Sequence, residues 1–319
     1  MFLRGSATVI SGREALILAT HRSPMARRRK IAPMPNSTLS RRSFLALSAA
    51  LPWSLRGVAT GTLKTIPVGL ELYSVRDALQ KDPQGTVRAV AEMGYVVVEF
   101  YGPYFDWSEP QAKDMRKLMD ELGIRCLSTH NDEDNFGDAK IEHTKSLNLI
   151  LGSKYVVQAW SDPKPNLAGW KQLAATLNAA SDKLAPAGLK VGYHNHDAEW
   201  KTVEGKRPIE ILAANTKPEV MLQLDVGTCL EAGADPVAWI RANPGRIHSI
   251  HCKDWSPDPN IGYKTLFGEG KADWKGIFHA AENGGGVQYY LIEQEGSRYP
   301  ELETARRCLE TFRKTRQTT

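Results

Sequence analysis

Beyond residue 60 the chain alternates short β-rich runs with amphipathic helical stretches, and this alternation constrains the fold more than any other feature. The strand candidates are residues 67–72, 95–100, 125–128, 155–159, 190–194, 220–224, 247–251 and 289–292. Most successive starts fall about 25–35 residues apart, the length of one strand–helix–strand unit. Asp82-Pro83, Glu109-Pro110 and Asp235-Pro236 put proline near helix starts, while Gly94, Gly123, Gly152 and Gly188 stand where helices close. Eight such units in about 260 residues predict a (β/α)₈ TIM barrel. A doubly wound open sheet would usually carry a Gly-rich phosphate turn after its first strand. Here the first strand runs into Glu71-Leu72-Tyr73-Ser74-Val75-Arg76-Asp77, with no such turn.

The net charge of +5 resides in the leader. Residues 1–59 hold ten Arg and Lys (Arg4, Arg13, Arg22, Arg27, Arg28, Arg29, Lys30, Arg41, Arg42, Arg56) against one acid, Glu14, so the remainder carries −4. An acidic body excludes nucleic acid as a partner, because a phosphate backbone needs clustered cations. Ser40-Arg41-Arg42-Ser43-Phe44-Leu45-Ala46, followed by an apolar run to Leu51 and by Gly57, Val58 and Ala59, reads as a twin-arginine export signal. The run is too short for stable membrane insertion. Residues 1–33 carry no coherent pattern, so Met34 is read as the start and 1–33 as a mis-called upstream segment. The expected organisation is 1–33 upstream, 34–60 signal, and 61–319 a single barrel delivered to the periplasm by the twin-arginine machinery.

The four cysteines (Cys126, Cys229, Cys252, Cys308) show no C-x-x-C spacing, and free buried thiols are expected. A long connection between Lys253 and Gln288 is expected to form a lid over the site or a surface excursion.

In a barrel the active site lies at the C-terminal strand ends. Ionisable residues follow apolar runs there: Glu99, His130-Asn131-Asp132, His194-Asn195-His196-Asp197, Asp225, His251-Cys252-Lys253-Asp254 and Glu293-Gln294-Glu295. Imidazoles and carboxylates at converging tips form a mixed nitrogen and oxygen site suited to one divalent ion of Mn, Zn, Co or Fe.

These tips, with Gly69-Leu70-Glu71-Leu72-Tyr73-Ser74-Val75-Arg76-Asp77, resemble the sugar phosphate isomerase/epimerase branch of the xylose-isomerase-like barrel superfamily, over about residues 66 to 315. There one metal is typically held by a Glu on strand five, an Asp on strand six, a His on strand seven and a Glu on strand eight. The resemblance implies Asp225, His251 and Glu293 as ligands. Strand five departs from the pattern: it offers His194, with His196 on the same face, and Glu199 further into the loop.

The resemblance implies proton abstraction next to a carbonyl, hence an isomerase or epimerase of an unphosphorylated sugar or keto-sugar. Without the strand-five Glu, a lyase or dehydratase acting on 3-keto-glycosides or inositol-type ketones is the alternative. A non-catalytic periplasmic sugar-binding protein is a third reading. Three-metal phosphodiester cleavage is disfavoured by the acidic body. Glu293, His130, Lys253 and Glu99 are the expected acid, base or hydrogen-bonding groups, and Tyr73, Trp160, His196 and Glu295 the expected substrate contacts. Tyr101, Tyr193 and Trp255 are further aromatic candidates, and a homo-oligomer is left open.

Overall fold

The computed structural model describes residues 66–318, so the leader and its arginine pair lie outside the described residues. Eight parallel strands close into a barrel in chain order: β1 (Val68–Glu71), β2 (Val97–Phe100), β3 (Arg125–Asn131), β4 (Tyr155–Gln158), β5 (Lys190–His194), β6 (Met221–Asp225), β7 (Ser249–Cys252) and β8 (Tyr289–Ile292), with β8 pairing back to β1. All eight expected strands are present; β5 and β8 have the expected bounds, and the ends of the others move by at most three residues.

Local chemistry sets the intervening helices. Asp82 accepts from the Gly85 N–H at 2.9 Å to cap the helix Pro83–Glu92. Ser108 and Gln111 form a capping box ahead of Glu109–Leu122. That helix ends at Gly123, whose φ of 69° suits a residue without a Cβ. The helices pack outward-facing Leu70, Val98, Leu222, Ile250 and Ile292 beneath Leu118, Ile240, Phe278 and Phe312, all within one buried cluster. Burying each such side chain contributes about 1.5–3 kcal/mol.

The other face of every strand points into the barrel. There Val97, Leu127, Tyr155, Val157, Met221, Tyr289 and Leu291 form a separate apolar cluster. Gly69 allows this cluster to close, because a Cβ on it would lie 2.6 Å from the Val97 carbonyl oxygen. Further along, the inward faces of seven strands bring up Glu71, Glu99, His130, His194, Gln223, His251 and Glu293, with His130 three residues past Leu127 across the register shift between β2 and β3. A buried polar layer therefore rests on an apolar plug.

The long connection after β7 is a packed excursion. The Asp254 carboxylate accepts from the backbone N–H groups of Trp255, Gly268, Gly270 and Ala272 and from the Trp274 indole at 2.9 Å. Leu266 and Phe267 are buried in the helical core, and Phe267 lies 4.4 Å from Trp274 between ring centroids. All four cysteines are free and buried. Among the described residues no helix is long and apolar enough to cross a membrane.

Candidate active site

The strand tips open into a cavity of about 470 Å³ lined by Glu71, Tyr73, Tyr101, Gly102, His130, Asn131, Asp132, Ala159, Trp160, His194, His196, Glu293 and Glu295. On its floor, ligand atoms from His194, Asp225, His251 and Glu293 all lie within 4.8 Å of one another, and all four residues are buried. His130, His194 and His251 form a second such group.

Each donor is held in orientation from behind. The Gln223 amide oxygen accepts from His130 Nε2 at 2.8 Å and from His194 Nδ1 at 3.1 Å, while its Nε2 donates to Glu99 Oε2 at 2.9 Å. Glu99 Oε1 lies 3.0 Å from His130 Nε2 and 2.8 Å from His251 Nε2. His251 Nδ1 donates to Glu293. Asp225 Oδ1 accepts from the Thr228 N–H at 2.7 Å. Asp225 Oδ2 is buried without a hydrogen bond, 3.6 Å from Lys253 Nζ and 3.8 Å from His194 Nε2.

These bonds assign the proton positions. His194 carries its proton on Nδ1, so its Nε2 lone pair faces Asp225. Burial, reinforced by His251 and His130, holds His194 well below the usual histidine range, so it is a neutral imidazole. Burial likewise lowers His130, and the proton on its Nε2 leaves Nδ1 unprotonated. For His251, burial is outweighed by Glu99 and Glu293, which push it up to about 10, so it is an imidazolium between two carboxylates. Burial would raise Glu99, but His130 and His251 hold it below its usual value.

Lys253 is enclosed. Its ammonium lies 3.2 Å from Glu293 Oε1 and also pairs with Glu295. Burial opposes its charge, yet Asp225, Glu293 and Glu295 keep it well above the ordinary lysine range. In return Lys253 and His251 overcome burial and hold Glu293 well below the usual carboxylate range. Tyr263, from the long connection, covers the ammonium at 4.5 Å from its ring centroid.

The donor set fits a divalent ion. Three carboxylates (Asp225, Glu293, Glu295) surround one permanent cation, Lys253, while Glu99 pairs with His251, and the excess negative charge of the four calls for a further cation. Asp225 Oδ2 is the unengaged anionic oxygen among the four donors, and neutral imidazole with carboxylate is the ligand chemistry of Mn, Fe, Co or Zn.

Of the sequence-derived candidates, His194, Asp225, His251 and Glu293 converge. His196 lies on the cavity wall outside this group, 5.1 Å from His194 between ring centroids. His130 and Glu295 also face the cavity, whereas Glu99 and Lys253 are enclosed beneath it. Tyr73 (39% exposed) and Trp160 (48%) stand at the mouth, and Tyr101 packs edge-on against Tyr73 at 5.4 Å. Tyr193 is buried behind β5, donating to Glu199 at 2.5 Å, and Trp255 does not reach the cavity. Two residues escaped the sequence reading. Gln223 sits two positions before Asp225, on the same face of β6. Glu71 ends β1, buried, its two oxygens without a well-formed hydrogen bond. Burial, then Glu293 and Glu99, raise Glu71 well above the usual carboxylate range, and the Tyr73 backbone N–H counteracts this least.

The chain is 27% identical to the inosose dehydratase of Lacticaseibacillus casei over 152 residues, 42% of this chain and 50% of that protein. It is 26% identical to the rhizopine catabolism protein MocC of Rhizobium meliloti over 184 residues, 51% of this chain and 54% of that protein. The chain thus spans about half the length of the curated relatives it matches. Among solved structures, a sugar phosphate isomerase/epimerase from Parabacteroides distasonis superposes with a TM-score of 0.67 at 25% identity, covering 78% of this chain and 94% of that one. With residues 87–315 matching the profile of the xylose isomerase-like TIM barrel, the chain belongs to that family.

Proposed function

We propose that this chain is a divalent-metal-dependent lyase that removes water or a glycosidic group from an unphosphorylated cyclic polyhydroxy ketone. The observation that carries this reading is the composition of the buried cluster: His194, Asp225, His251 and Glu293 converge, and strand five contributes an imidazole. Epimerisation through opposed carboxylates needs an acid on each face of the carbon. Here β5 contributes the imidazole of His194 rather than a carboxylate to stand opposite Glu293. The inosose dehydratase relatives support elimination, and the leader's arginine pair supports action in the periplasm.

A divalent ion held by these four residues would supply Lewis-acid polarisation of the substrate carbonyl. His130, neutral and lining the cavity, takes the proton from the carbon next to that carbonyl through Nδ1, the nitrogen that Gln223 and Glu99 leave free. The electron pair left on that carbon forms the new double bond as the bond to the oxygen on the following carbon breaks. The proton carried by His130 then passes to the departing oxygen and restores the neutral imidazole. Glu99 and Gln223 keep His130 in the required tautomer throughout. The lining residues include Glu71, Asp132, Glu293 and Glu295 but no Lys or Arg, which disfavours a phosphorylated substrate.

The test is metal analysis of wild type, His194→Ala, His196→Ala and Asp225→Ala, followed by incubation with an inosose and mass detection of water loss. About one Mn, Fe, Co or Zn per chain, lost in Asp225→Ala and His194→Ala, with dehydration by wild type, supports the reading. Wild type that holds no metal after reloading would overturn it in favour of a sugar-binding protein. Interconversion of D-fructose and D-psicose without dehydration would favour an epimerase.

A further inference from the structure

We propose that Glu71 is a specificity residue: its carboxyl group hydrogen-bonds a ring hydroxyl of an uncharged cyclic polyhydroxy ketone. This rests on the lyase reading of the same cavity. Glu71 is 1% exposed and lines the cavity, yet neither of its oxygens is engaged by another side chain. A buried polar group without a partner is costly unless a ligand completes it. The other buried carboxylates are already committed. Glu99 is held by His130, His251 and Gln223, Glu293 by His251 and Lys253, and Asp225 borders the candidate metal position.

The position of Glu71 suits this role. It pairs in register with Glu99 on β2, and its preceding residue Leu70 pairs with Ile292, immediately before Glu293 on β8. Glu71 therefore stands on the wall between the catalytic floor and the Tyr73–Tyr101 pair at the mouth. A chair-shaped ring packing its C–H face on those aromatic side chains turns its equatorial hydroxyls toward the walls, where a carboxyl can take one. An anionic substituent at that point would meet a carboxyl group with no Lys or Arg among the lining residues.

The test is calorimetric titration of an inosose and of unreactive myo-inositol into metal-loaded wild type, Glu71→Gln and Glu71→Leu, with metal content, Tm and inosose turnover measured in parallel. The expected result is binding weakened about tenfold or more in Glu71→Leu, within about threefold in Glu71→Gln, with metal content unchanged. Tm of Glu71→Leu should rise, because the uncompleted polar group is gone. Unchanged affinity in Glu71→Leu would overturn the assignment and leave the lyase reading intact. Binding that depends on Glu71 without turnover of the inosose would uphold the assignment and sink the lyase reading. Wild type that binds neither polyol would overturn both.

Discussion

The amide oxygen of Gln223 receives the Nε2 proton of His130 at 2.8 Å, and through this bond a residue that does not line the cavity decides which nitrogen of His130 keeps its lone pair. The same oxygen fixes His194. Gln223→Met should lower kcat/KM or metal affinity by about 10–100-fold, the usual effect of losing an orienting partner. Steady-state kinetics beside metal titration separates the two losses.

Lys253 is a buried cation inside a ring of carboxylates. Lys253→Met removes the compensating charge and should destabilise the metal-free protein by about 3–5 kcal/mol. Added Mn or Zn should then raise Tm more in the variant than in wild type. Thermal melts with and without metal decide this, and an equal rise in both proteins would refute it.

His251 gives the metal-free protein a pH signature. Its pKa is raised to about 10 from an unfolded value of about 6.5, so its stabilising effect is complete below that value and is lost as pH rises through about 10. Metal binding must displace this proton. Affinity for Zn or Mn should therefore rise about tenfold per pH unit across the same window, provided one proton leaves. Competition titrations at several pH values measure the slope, and a flat profile would contradict His251 as a ligand.

Trp160 is 48% exposed at the cavity mouth. Trp160→Ala should raise KM several-fold with kcat nearly unchanged, the pattern expected when uniform binding is lost. Tm should hold, since little packing is removed.

Asp254 tethers the long connection through five donors. Asp254→Ala should cost about 3 kcal/mol or more, because several N–H groups lose a charged acceptor at once. Metal content should stay at the wild-type level. Denaturant melts and metal analysis of the same sample test both statements.

The barrel was legible because its signal is repetitive. Each strand is an apolar run and each tip carries a polar residue, so an error of a residue or two at one end, as at β7, leaves the architecture unchanged. The cluster of His194, Asp225, His251 and Glu293 was legible for the same reason, charge abruptly following an apolar run. Gln223 was not, because a neutral amide inside a strand looks like ordinary alternation until the histidines on neighbouring strands are seen against it. Glu71 was quoted within the first strand's motif, but its lack of a side-chain partner is a property of the assembled barrel. The enclosure of Lys253 likewise depends on carboxylates from β6 and from the β8 end, far from it in sequence. The leader's export signal lies outside the described residues, and its test is fractionation of the intact protein in its host.

The apolar plug of Val97, Leu127, Tyr155, Val157, Met221, Tyr289 and Leu291 has a kinetic consequence. With the inner end of the barrel filled beneath the polar layer, an ion and a polyol bound on the proposed reading would both enter from the side where Tyr73 and Trp160 are exposed. On that reading the order of binding is set, with metal first in and last out. A polyol resting at that entrance would trap the ion behind it, so chelators should strip the occupied protein far more slowly than the vacant one.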